Sequence, residues 1–165
     1  MVDNHAPMPG GYESVLVNGK EWKFSWVGPG IRKAYVAWAK ARSRERFMET
    51  ENAVEKKESF DWLRSAIAAG KYDWGSPSDP NGIGEHIAES MQTQEGLNKI
   101  MGMLLEPAHG PVSQDELMDL MTSNMGTEVS HAVMRAIAPN RRTPLQAGVN
   151  GQSQDPAMAS VTPIS

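Results

Sequence analysis

The amino-acid sequence predicts a mainly α-helical domain with an N-terminal two-stranded β-hairpin and a disordered C-terminal tail. Three observations predict this fold. Alternating apolar residues flank an Asn-Gly pair near the N-terminus, apolar residues then recur at helical spacing, and the last part of the chain is rich in Pro, Gly, Ser and Gln. We therefore expect a flexible leader at residues 1–11, one helical domain at residues 12–138 and a disordered tail at residues 139–165.

The hairpin is predicted from the residues on both sides of Asn18-Gly19. A type I′ turn needs positive φ at both central residues, and Asn-Gly meets this need at little cost. The turn pairs Val15 with Trp22 across the two strands. One face of the hairpin is then apolar and should pack on helices, because a two-stranded sheet is marginal alone. This face carries Val15, Val17, Trp22, Phe24 and Trp26.

Two helices are predicted to follow the hairpin. The first begins after Gly28-Pro29 and carries Trp38, whose ring we expect to lie under the hairpin. The second runs from about residue 52 to residue 69, where Gly70 is suited to cap its C-terminus.

The rest of the domain is also predicted to be helical. Residues 83–106 form one helical region, either continuous or interrupted near Gly96, and Pro107 ends it. Ser113 begins a capping box ahead of the next helix, and Pro139 stops the last one. The apolar face of that last helix should contain Val129, Val133, Met134 and Ile137.

The sequence gives no sign of catalytic, cofactor or metal chemistry. The chain has no cysteine, and its four histidines have no spacing that would bring them together as ligands. Gly82-Ile83-Gly84 follows no predicted strand and lacks the rest of a phosphate-binding motif. We therefore expect no catalytic residues, no bound metal and no cofactor, and we interpret the protein as a non-enzyme.

Charge is divided unevenly along the chain, whose net charge is −4. Residues 1–46 carry eight Lys/Arg against four Asp/Glu, whereas residues 47–138 carry six against fifteen. The basic helix is thus either a solvated face, a docking face for an acidic protein segment, or a phosphate-binding surface, the last being disfavoured by the acidic body. No apolar run approaches the roughly 18 residues of a membrane span. The basic side chains are Arg32, Lys33, Lys40, Arg42, Arg44 and Arg46.

Methionine is concentrated in the second half of the domain, where seven of eleven lie between residues 91 and 134. On the helix after Ser113 the apolar residues span an arc of roughly 160°. Such residues either fill an irregular core or form a surface that accepts varied apolar partners or a second copy. Our candidates for partner binding are Met101, Met103, Leu105, Met118, Met121 and Met125, together with Arg42, Arg44 and Arg46.

The order of these features resembles the small tail assembly chaperones of long-tailed bacteriophages, over residues 12–138. The hairpin contains Val-Asn-Gly-Lys-Glu-Trp-Lys-Phe, and the basic helix contains Ala-Tyr-Val-Ala-Trp-Ala-Lys with its central Trp. The helix from Gly96 to Leu105 leads into Leu-Glu-Pro-Ala-His-Gly-Pro-Val-Ser-Gln-Asp-Glu-Leu, and an acidic helix pair follows.

The resemblance implies a non-enzymatic protein of the host cell cytoplasm that is absent from the mature virion. Such proteins bind the long helical tape measure protein, keep it soluble and help to recruit tail tube subunits. Binding to nucleic acid or to a membrane is not expected, and self-association is open. Two alternatives remain: a small structural or connector protein retained in the virion, and a DNA-associated regulator that uses the basic helix.

Overall fold

The structure, a computed structural model, describes residues 11–75, 78–79 and 82–138. These residues form the predicted mainly helical fold with an N-terminal antiparallel hairpin. The predicted tail, and the predicted leader apart from Gly11, lie outside the described residues. In chain order the elements are β1 (Tyr12–Val17), β2 (Lys20–Ser25), α1 (Pro29–Met48), α2 (Ala53–Ala68), α3 (Glu85–Ser90), α4 (Gln94–His109), α5 (Gln114–Thr122) and α6 (Gly126–Ile137).

The hairpin has the predicted turn and register. Asn18 and Gly19 have φ values of 51° and 81°, as a type I′ turn requires. Val15 pairs with Trp22, and the buried side chains of the two strands that share one face are those of Val15, Val17, Trp22 and Phe24. Local turn chemistry therefore determines which face of this sheet meets the helices.

The hairpin packs on α4 and α6. The Lys23 amide donates a hydrogen bond to Nε2 of His109 at 2.9 Å, and the Val27 amide donates to the Ala136 carbonyl, also at 2.9 Å. The prediction that Trp38 lies under the hairpin is wrong. Its ring contacts Tyr35 at 5.3 Å on the side of α1 that faces α2 and α3. The hairpin instead covers the two helices with the most buried apolar residues.

The two predicted caps, Gly70 after α2 and the capping box of Ser113, are present, and the structure adds an N-cap at Asn52. The Asn52 side chain accepts hydrogen bonds from the amides of Val54 and Glu55 at the start of α2, and Gly70 follows the helix with a φ of 78°. Ser113 and Glu116 form both halves of a capping box at the start of α5. Residues close in sequence thus cap both ends of α2 and the start of α5.

The third helical region is interrupted, as α3 and α4 with a break over residues 91–93. Thr93 caps α4, and Gly96 lies in its first turn rather than at the break. A β-carbon on Gly96 would overlap the Ser90 carbonyl oxygen, so this glycine permits the close approach of the two helices. Pro107 lies inside the last turn of α4 instead of ending the helix, which continues to His109.

The core is built around α4 and α6. Ile100 and Leu104 of α4 and Val129 and Val133 of α6 are fully buried. The prediction that Met134 lies on the apolar face of the last helix is wrong, because its side chain is 63% exposed. Within the described ranges, no helix combines the length and the apolar character needed to cross a membrane.

Candidate partner-binding site

The predicted methionine-rich surface is largely core. Met101 and Leu105 are each 0% exposed, so the prediction that they line a partner surface is wrong. They lie on the buried side of α4, where a partner could reach them only by opening the fold. Burial of these side chains removes apolar surface from water and stabilises the domain itself.

The remaining methionine candidates are more accessible but do not form one groove with the buried pair. Met103, Met121 and Met125 are partly buried and pack against the core. Met118 is 41% exposed, and its sulfur accepts a weak hydrogen bond from the Gln94 amide at 3.7 Å. Only Met118 thus offers a large exposed apolar surface among the six methionine and leucine candidates.

The structure separates the three arginine candidates. Arg42 and Arg46 both bind the Glu95 carboxylate of α4, at 2.5 and 3.3 Å, and thereby join α1 to α4. Hydrogen bonds to Glu45 and then to Glu95 raise the pKa of Arg42 above its ordinary value. Arg44 lies on another side of α1, away from these ion pairs.

Arg42 and Arg46 border a pocket between α1, α2 and α3 that sequence reasoning missed. The pocket has a volume of about 420 Å³. We name it the aromatic pocket, because five rings line its walls: Trp38, Phe47, Trp62, Tyr72 and His86.

The rings of the aromatic pocket hold one another in edge-to-face and tilted arrangements. The Trp62 ring lies 6.1 Å from Phe47 at 86° and 4.9 Å from His86 at 63°. Tyr72 contacts His86 at 5.3 Å. Edge-to-face contacts are the favoured geometry for aromatic pairs, so the pocket walls are mutually supported. Trp62 nevertheless remains 45% exposed and available to a ligand.

Polar groups are placed between these rings. Nδ1 of His86 lies 3.0 Å from the Glu89 carboxylate, and the hydroxyls of Ser43 and Tyr72 are hydrogen-bonded at 2.9 Å. Nε2 of His86 is buried and has no hydrogen-bond partner within the described ranges. The pocket therefore combines large apolar surfaces with a few fixed polar atoms, which is typical of a binding pocket.

The local structure explains how distant residues meet here. The loop after α2 turns back on itself, because the Gly84 amide donates to the Asp73 carbonyl at 2.7 Å and the His86 amide donates to the Lys71 carbonyl at 2.9 Å. These bonds place Tyr72 beside His86. The sequence contained one signal for the pocket: Trp62 lies off the helical stripe formed by Phe60, Leu63 and Ile67, where a core side chain is not expected.

Tyr35 of α1 is fully buried. Its hydroxyl is hydrogen-bonded at 2.7 Å to the hydroxyl of Ser90, which lines the aromatic pocket. Burial raises the pKa of the Tyr35 phenol above its ordinary value, although the Ser90 contact opposes this effect. The ring also packs edge-on against Trp74 at 5.9 Å. Tyr35 thus joins α1 to α3 through Ser90.

The histidines that the structure describes do not cluster as metal ligands. His109 accepts the hydrogen bond from β2, His86 lies in the aromatic pocket, and His5 lies outside the described residues. Across residues 11–75, 78–79 and 82–138, no three His, Asp or Glu side chains are arranged to hold a metal ion.

The fold and the aromatic pocket define a small helical protein with a pocket suited to apolar groups. No protein-family model, curated protein or solved structure matches this chain.

Proposed function

We propose that this chain is a non-enzymatic protein that binds a helical segment of another protein through the aromatic pocket. More specifically, we propose that it is a phage tail assembly chaperone that binds the tape measure protein and helps to recruit tail tube subunits. The observation that supports binding is the exposed Trp62 ring at the mouth of an aromatic, Arg-bordered pocket. The chaperone assignment rests on the family resemblance of residues 12–138.

The pocket has the properties of a protein-binding hot spot. Tryptophan, tyrosine and arginine are the residues most enriched at such sites, because they combine a large contact area with polar atoms. A helical partner presents apolar side chains at intervals of three and four residues, and one such side chain can enter a pocket of this kind. Arg46 at the border is 55% exposed and can bond a polar group of the partner.

A chaperone needs contacts that form early and are later given up. Long apolar helical stripes aggregate when they are left uncovered. A single pocket that holds one apolar anchor covers a short part of such a stripe, and several copies can cover a long one. Tail tube subunits could then replace the copies one at a time, which matches a role in recruitment.

The test is co-purification from the native gene context with an N-terminal tag, followed by mass spectrometry. A very long, helix-rich protein among the recovered chains is the expected result. Recovery of capsid or connector subunits, together with presence of this chain in purified particles, would support the virion alternative instead. If only nucleic acid is recovered and salt releases it from the protein, the result would support the regulator alternative and contradict the proposal.

A matched pair of variants assigns binding to the pocket. Trp62→Gln removes the exposed ring of the pocket and should reduce recovery of the partner. Leu16→Gln is the control, because Leu16 is 62% exposed on the outer face of the hairpin. Equal recovery with both variants would contradict the role of the pocket.

A further inference from the structure

A second surface lies on α1 beside the aromatic pocket, where cationic side chains line an open groove of about 760 Å³. The groove lies between α1 and residues Asp73–Gly75. We name it the basic groove, and its cationic side chains are Arg32, Lys33, Lys40 and Arg44. Asp73 is the single carboxylate among the described residues that line it, so this groove is positive although the chain is acidic overall.

Three of these cations are not neutralised by the fold. Lys33, Lys40 and Arg44 have no ion pair with any residue in the described ranges, whereas Arg42 and Arg46 on the same helix are paired with Glu95. Their spacing of seven and four residues puts them in one row along α1. At 1.5 Å per residue the row is about 16 Å long.

The groove also has an apolar floor. Val36 and Ala37 lie between the cations, and the buried Trp74 ring forms part of the opposite wall. A surface with alternating cations and apolar groups complements an amphipathic helix whose polar residues are acidic. A nucleic-acid backbone would use the cations but not the apolar floor, and the acidic remainder of the chain would repel it.

We propose that the basic groove docks an acidic amphipathic helix of the partner protein. Carboxylates of that helix pair with Lys33, Lys40 and Arg44, and its apolar residues contact Val36 and Trp74. The inference rests on the proposed function, and it adds the charge of the partner segment. The groove and the aromatic pocket flank the same helix, so one partner can contact both.

The direct test uses a labelled helical peptide of about 20 residues, in which glutamates recur every three or four positions beside leucines. Its matched control peptide has glutamine at every glutamate position. The variant Lys33→Gln/Lys40→Gln removes two groove cations. The variant Lys56→Gln/Lys99→Gln is its control, because it also removes two positive charges, but from α2 and α4 instead of from the groove.

Fluorescence anisotropy should show binding of the glutamate peptide, with about tenfold weaker binding by the Lys33→Gln/Lys40→Gln variant and little change in the control variant. Equal losses in the two variants would overturn the proposal, as would equal binding of the glutamine peptide. Tighter binding of a DNA duplex at the groove would assign it to nucleic acid. Self-association abolished by Lys33→Gln/Lys40→Gln would assign it to a second copy and also overturn the proposal.

The groove and the pocket can be tested separately in the same co-purification. If Trp62→Gln reduces partner recovery while Lys33→Gln/Lys40→Gln leaves it unchanged at every salt concentration, the groove proposal fails and the proposed function stands. If no protein partner is recovered with wild type, the proposed function fails. In that case weaker binding of the glutamate peptide by Lys33→Gln/Lys40→Gln than by the control variant still supports an acidic-helix site in the groove, and equal binding by the two variants overturns it.

Discussion

Individual methionines in the second half of the domain have different roles, and burial distinguishes them. Met101 is fully enclosed by the core, while Met118 is largely on the surface. Helical spacing placed both on apolar arcs but could not show which part of a wide arc faces a neighbour. That information comes from the packing of α4 and α5 against other helices.

We predict that Met101→Ala lowers the free energy of unfolding by about 2–5 kcal/mol, because it leaves a cavity in a closed core. Met118→Ala should change it by only about 0.5 kcal/mol. Urea denaturation of both variants measures the difference. Similar losses would contradict the division between core and surface methionines.

Two glycines of α4 give a matched test of close packing. At Gly96 a β-carbon would overlap the Ser90 carbonyl oxygen, whereas at Gly102 the nearest atom, Cδ1 of Leu117, is 3.9 Å away. Gly96→Ala should therefore destabilise the domain by about 1–3 kcal/mol or more. Gly102→Ala should stabilise it by about 0.5–1 kcal/mol, because alanine favours the helix. Thermal unfolding tests both, and stabilisation by Gly96→Ala would refute the close contact of α3 with α4.

Among the elements, the hairpin and the helix caps were predictable because they depend on residues close in sequence. Asn18-Gly19 sets its own turn, and Ser113 and Glu116 cap α5 without help from the rest of the chain. The position of Trp38 was not predictable in this way. Its helix could bury one face against the hairpin or against α2 and α3, and only the complete packing decides between them.

The capping box of α5 predicts a pH-dependent stability. Hydrogen bonds from the Ser113 amide and then from its hydroxyl lower the pKa of Glu116 below its ordinary value of 4.5. The contribution of the ionised carboxylate is therefore present above the ordinary pKa and is lost as the pH falls through the lowered value. Ser113→Ala should lower the free energy of unfolding by about 0.5–2 kcal/mol at neutral pH, and this loss should become smaller in acid.

The control for this prediction is Ser65→Ala, since Ser65 is an exposed serine inside α2 with no capping role. Denaturant unfolding at a series of pH values measures both variants against wild type. A loss of unfolding free energy in Ser113→Ala that stays constant into acid would contradict the contribution of the hydrogen bond from the Ser113 hydroxyl to the Glu116 carboxylate.

For the whole molecule, the aromatic pocket was beyond sequence reasoning, because its walls come from three helices and a loop. All eleven aromatic residues lie between Tyr12 and Trp74, but this distribution fits a separate surface or a single mixed core equally and does not locate a pocket. The basic run on α1 was visible in the sequence. Its division into Arg42 and Arg46, which are paired with Glu95, and Lys33, Lys40 and Arg44, which have no ion pair within the described ranges, required the position of Glu95 on α4.

A pocket that holds one anchor predicts weak and reversible binding. A single-site Kd near 1 μM corresponds to about −8 kcal/mol, weak enough for the exchange of partners that the proposed function requires. Calorimetric titration of a partner segment into the full chain measures this value. A single-site Kd in the low nanomolar range would contradict an exchange role.

The central claim is that the partner enters the aromatic pocket, and site-specific photocrosslinking tests it most directly. A photoreactive phenylalanine analogue replaces Trp62 in one version of the full chain and Leu16 in another, each expressed in the native gene context. We expect the version at residue 62 to crosslink to a helical segment of a large partner protein, and the version at residue 16 to give no such product. Crosslinking of that partner from residue 16 alone would contradict the claim.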